Sequence, residues 1–78
     1  MRINVGDLVT PKGCATGDYE WYRELYREQT PCIVVGTEPL YNQWTDKLED
    51  SLIRILYKNK IRYMRAGRAK VIRYAKAI

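Results

Sequence analysis

Between Arg54 and Tyr74 the chain interleaves cations with aromatic rings: Arg54, Tyr57 and Lys60, then Arg62-Tyr63-Met64-Arg65, then Arg68, Lys70 and Arg73-Tyr74. Guanidinium and ammonium groups neutralise phosphates and release their counterions, while tyrosine faces stack on unpaired bases. Arg54, Lys60, Arg62, Arg65, Arg68, Lys70 and Arg73 are therefore the candidate nucleic-acid-binding residues, for RNA or single-stranded DNA with little sequence preference. On one strand, residues two apart share a face, so Lys60, Arg62 and Met64 are expected to form a stripe with whichever of Arg54 or Leu56 pairs across. The same residues also fit a solvated face, with Tyr57, Tyr63 and Tyr74 closing the core, or a surface for an acidic protein partner. All three readings stay open at this stage.

Other chemistry is thin. Asp46, Glu49 and Asp50 are carboxylates of the type used in general acid and base catalysis, but they fall in a loop-like segment without a pocket signature and read as solvated. Cys14 sits beside Gly13, yet the chain has no histidine to activate a thiol. Without histidine and with two cysteines, neither a structural zinc site nor a His-dependent nucleophile can be assembled from this chain alone. The expectation is a binding module, not an enzyme, with no cofactor and no metal.

The charge is unevenly placed. Residues 1–50 carry five basic and nine acidic side chains, net −4, whereas residues 51–78 carry nine basic and no acidic ones, net +9. Such an asymmetry points to an anionic partner or to copies pairing with one another. A homo-oligomer is expected, because a chain of 78 residues buries only about 60% of its unfolded surface and gains from further burial.

A single domain over 1–78 follows from that length, and a hydrophobic content of 46% is too high for a disordered chain. The aromatics are seven Tyr and two Trp with no Phe, a choice suited to half-buried positions. No apolar run approaches a membrane span, and the N-terminus lacks the apolar segment of a signal peptide, so a cytoplasmic protein with reduced Cys14 and Cys32 is expected, with no membrane partner.

The elements that must position these residues read as mostly strand. Val5 to Thr10 alternates and is closed by Pro11. Lys12 to Gly17 is loop, and Asp18 is placed to cap a short helix from Tyr19 to Glu28. Thr30-Pro31 resets the chain to extended geometry, and Cys32 to Glu38 is a β-branched run typical of a buried strand. Pro39 to Asp50 reads as an irregular excursion held by Tyr41, Trp44 and Leu48. Leu52 to Tyr57 and Lys60 to Arg65 form a hairpin over the Lys58-Asn59 turn. Ala66-Gly67-Arg68 is a short turn, and Ala69 to Tyr74 is a fifth strand.

Val5-Gly6-Asp7-Leu8-Val9, Cys32-Ile33-Val34-Val35-Gly36, Ile53-Arg54-Ile55-Leu56-Tyr57, Lys60-Ile61-Arg62-Tyr63-Met64 and Lys70-Val71-Ile72 together resemble the SH3-like barrels, in the order of the KOW, Tudor and Sm-like relatives. Short uncharacterised proteins of tailed, notably marine, phages are similar in the same segments. The resemblance implies an all-β fold, a five-stranded SH3-like barrel with a short helical insert between strands 1 and 2. It further implies a tendency to bind nucleic acid or protein in a bacterial or phage-infected cell, either as a nucleic-acid-binding module or as a structural adaptor that self-assembles. The helical insert and the absence of Gly after Asn59 depart from the usual pattern, so no binding site is carried over.

Overall fold

A computed structural model describes residues 3–75. Five antiparallel strands form one sheet in the order β4-β3-β2-β1-β5, where β1 is Leu8–Pro11, β2 Cys32–Tyr41, β3 Leu48–Tyr57, β4 Lys60–Arg65 and β5 Ala69–Arg73. A helix, α1, spans Glu20–Glu28 between β1 and β2, and a single 3-10 turn over Ala66–Arg68 links β4 to β5. Among the described residues no ladder joins β4 to β5, so the sheet is open at those two edges. Likewise, no helix is long and apolar enough to cross a membrane.

One face of the sheet carries the core. Val9, Cys32, Val34, Ile53, Ile55, Tyr57, Met64 and Ala69 are buried there, and Tyr22 and Leu25 of α1 pack onto them. Nine residues make a marginal helix in isolation. Here Trp21 lies against Tyr57 at a ring separation of 6.4 Å, the Tyr57 hydroxyl donates to Glu28 at 3.1 Å, and Glu24 is ion-paired with Lys58. The helix ends where Gln29 turns left-handed and returns its N–H to Leu25.

Three sequence expectations change in detail. Asp18 does not cap α1, whose first turn has Tyr19 at the cap position without a side-chain bond. The Asp18 carboxylate is taken by Arg68 and by the Ala15 N–H. Pro11 is itself the last residue of β1, opposite Ala69, as befits a residue that leaves one donor out of a ladder. The excursion at Pro39 to Asp50 is also paired: Pro39↔Ser51, Leu40↔Asp50 and Tyr41↔Leu48 make a two-stranded arm that outruns its neighbours. The Lys58-Asn59 turn forms as read, with φ of 50° and 63°, the left-handed pair of a primed hairpin turn.

The two ends of the described segment are clasped by one buried side chain. Asp7, 1% exposed, accepts the Asn4 N–H at 2.9 Å on one oxygen and the Ala75 N–H at 2.6 Å on the other. Both cysteines are free, Cys14 exposed and Cys32 buried.

Candidate functional site

Register decides which cations lie together. Across β3 and β4 the pairs are Ile55↔Arg62 and Tyr57↔Lys60, which put Lys60 and Arg62 on the core side of the sheet with Met64. Arg54 pairs with Tyr63, and Leu56 with Ile61, on the opposite, outer side. The expected stripe of Lys60, Arg62 and Met64 with Arg54 or Leu56 is therefore divided between two faces.

The seven candidates also differ in how they are engaged. Arg68 forks onto Asp18 and covers the Tyr22 ring at 4.5 Å, and Arg65 donates to Glu49 at 3.0 Å. Arg62 sits over the Trp21 ring at 5.4 Å, and its buried Nε–H finds no acceptor among the described residues. Arg54 folds across Gly36, where an added Cβ would lie 2.6 Å from its Cζ, so the guanidinium occupies space that a side chain at 36 would take. Arg54, Lys60, Lys70 and Arg73 make no ion pair among the described residues.

Electrostatics follows the same contacts. The Arg68 fork, helped by the Ala15 N–H, holds the Asp18 carboxyl well below the usual carboxylate range. Lys58 lowers Glu24 through their hydrogen bond, and Glu24 raises Lys58 in return. Burial pushes the Tyr57 and Tyr22 hydroxyls up, with the Glu28 carboxylate adding to the effect at Tyr57. The carboxylates of α1 that face the sheet are thus occupied within the fold. Asp50 is engaged as well, accepting the Ser51 and Gly67 N–H groups.

The outer face holds what sequence reasoning did not single out. Arg73 is opposite Leu8, Leu8 opposite Ile33, and Leu56 opposite Ile61. The Val34↔Ile55 pair places Ile33 next to Leu56. One row, Arg73-Leu8-Ile33-Leu56-Ile61, therefore crosses all five strands. Ile33, Leu56 and Ile61 on it are 41–47% exposed, and Val35 beside it is 40% exposed. A depression of about 270 Å³ opens at one end of this row, lined by Leu8, Ile33, Arg73 and Tyr74. The signal was present in the unbroken apolar run Cys32-Ile33-Val34-Val35, which has two apolar faces where a half-buried strand needs one.

The arm ends in a turn that displays Trp44. Asn42 accepts the Trp44 and Thr45 N–H groups on its side-chain oxygen at 2.9 and 3.1 Å, and its own N–H bonds the Lys47 carbonyl. Trp44 is 84% exposed, flanked by exposed Tyr41 and Leu48. Comparison with protein-family models, curated proteins and solved structures finds no match to this chain.

Proposed function

We propose that this chain is a small non-enzymatic docking module, an open variant of the SH3-like barrel, that assembles with an acidic and partly apolar protein surface through the outer face of its sheet. The strand order, the single 3-10 turn between β4 and β5, and the bulges in β2 and at Leu8/Val9 that bend the sheet support the barrel relationship. The observation that carries the docking reading is the exposed row Arg73-Leu8-Ile33-Leu56-Ile61. Aliphatic side chains lined up across a whole sheet and edged by arginine match an interface core better than a solvated face.

A second reading, binding of single-stranded nucleic acid, is favoured by a separate observation. Arg54 stands opposite Tyr63, which is 54% exposed, and residues 51–78 contain no acid. A cleft of about 250 Å³ beside it brings Tyr19, Trp21, Tyr22 and Tyr63 near Arg65 and Arg68.

A photo-crosslinking p-benzoylphenylalanine at position 61 separates the two, with position 23 on the solvent side of α1 as control. Protease-sensitive adducts at 61 alone support protein docking. Nuclease-sensitive adducts would move the second reading ahead, and its affinity should then fall with the logarithm of salt at about 0.7 per phosphate neutralised. Adducts no more abundant at 61 than at 23 would overturn the outer face as a binding surface.

A further inference from the structure

The structure carries a protruding group and a receptacle at different places on its surface. We infer that the arm of one copy docks on the outer face of another, with Trp44 seated in the depression over Leu8 and Ile33 beside Arg73. This rests on the docking reading above and names its partner: a second copy of this chain.

The tip is built to present its ring. The Asn42 bonds fix the backbone of the turn, and Trp44, 84% exposed, displays an indole, a side chain enriched among interface anchors. The depression, about 270 Å³, has aliphatic walls in Leu8 and Ile33 and a cation at its rim in Arg73, a setting that accepts an aromatic ring and its negative face. The rest of the row, Leu56 and Ile61, continues as a surface for Tyr41 and Leu48 behind the tip.

Charge selects the second copy, and selects its orientation. From Glu38 to Asp50 the arm carries Glu38, Asp46, Glu49 and Asp50 against Lys47, net −3, or net −2 once Arg65 has paired with Glu49. The row it meets holds Arg73, with Arg54 on the same side of the sheet. Two outer faces packed against each other would instead set Arg54 and Arg73 against their own copies. An exposed apolar group that complements a pocket elsewhere on the same molecule makes a head-to-tail contact, which closes into a ring or runs on as a filament.

The test is sedimentation of the purified chain from about 10 µM to about 1 mM, the range expected of a small interface. The wild type should pass from its 9.2 kDa monomer to larger species as concentration rises. Trp44→Ser removes the tip and Ile33→Glu spoils the face, and each variant should sediment as a monomer. Arg73→Glu, at an exposed position, gives a face variant that leaves the core untouched, and circular dichroism confirms that each variant is folded. Mixed together, Trp44→Ser and Ile33→Glu should form a two-chain species and nothing longer, because one intact face meets one intact tip.

A wild type that stays monomeric throughout overturns the inference, as does assembly that survives either variant or a mixture that stays monomeric. If the wild type is monomeric while position 61 still cross-links a different protein, the docking reading stands and the self-association falls. If neither occurs, both fall.

Discussion

Arg68 forks onto Asp18 across 50 residues of sequence, Nη1 to Oδ1 at 2.8 Å and Nη2 to Oδ2 at 2.7 Å, and ties the β4–β5 link to the loop that precedes α1. Two parallel bonds of this kind fix orientation as well as distance. The residue that looked from sequence like a phosphate contact is thus committed to holding the helical insert in place.

That pairing predicts an acid-side dependence of stability. The folded state holds the Asp18 carboxyl below its ordinary value, so its contribution is complete above the unfolded pKa of about 3.9 and is lost as pH falls through the lower folded value. Thermal melts taken from neutral pH downward should show the wild type losing stability below about pH 4. Asp18→Asn should melt lower at neutral pH and show a shallower decline there. An identical acid limb in the two proteins would disprove the linkage.

The buried Asp7 predicts a different kind of loss. In Asp7→Asn the single amide oxygen can accept one of the Asn4 and Ala75 N–H groups, leaving the other without its partner. A hydrogen bond to a charged group is worth about 1.5–3 kcal/mol, and each kcal/mol lowers the melting temperature of a domain this size by about 4–8 °C. A melt within about 1 °C of the wild type would show that Asp7 contributes little, given that scale.

Arg62 gives a prediction of opposite sign. Its Nε–H is buried without an acceptor among the described residues, while its guanidinium lies over the Trp21 ring. Arg62→Met sets a thioether toward the ring in place of the guanidinium and removes the orphaned donor, so chemical denaturation should find it as stable as the wild type or more so. Arg62→Ala, which also removes the packing, should be less stable by about 1–2 kcal/mol. A methionine variant as weak as the alanine one would mean that the charge itself is needed.

The two cysteines should differ in their access to reagents. Burial pushes the Cys32 thiol up, and its Sγ–H is directed at the Thr30 carbonyl, whereas Cys14 is exposed. A thiol-specific reagent at mildly alkaline pH should consume one equivalent quickly, and Cys14→Ser should abolish that fast phase. The second equivalent should appear on unfolding. Two fast equivalents in the folded wild type would contradict the burial of Cys32.

The strands were legible where local chemistry and tertiary packing agree. Lys60 to Arg65 begins and ends as read, since alternation and the left-handed turn at Lys58-Asn59 set both limits. The segment from Pro39 to Asp50 was misread because Pro, Asn and acidic residues weigh against a strand locally, and the ladder pairs them with partners farther along the chain, Pro39 with Ser51 and Tyr41 with Leu48. The candidate site was legible as charge and illegible as geometry. Alternation along β3 sets Arg54 opposite to Ile53, Ile55 and Tyr57, as read, but which of these faces Arg62 joins depends on the β3–β4 register, and a one-residue shift would exchange it. That Arg65 and Arg68 have acidic partners could not be read at all, because Glu49 and Asp18 reach them only through the fold.

The Asp7 clasp has a mechanical consequence. β1 and β5 run antiparallel, with Leu8 opposite Arg73 next to the clasp, so a load applied at residues 3 and 75 would pull these strands apart sideways instead of sliding them along each other. In that geometry the rungs carry force one after another, and the two N–H bonds to the Asp7 carboxylate are the first in line. The domain should therefore open at low force from this corner, like a zipper whose slider is a single side chain. Pulled instead between the arm tip and β5, the load would cross several strands and meet far greater resistance.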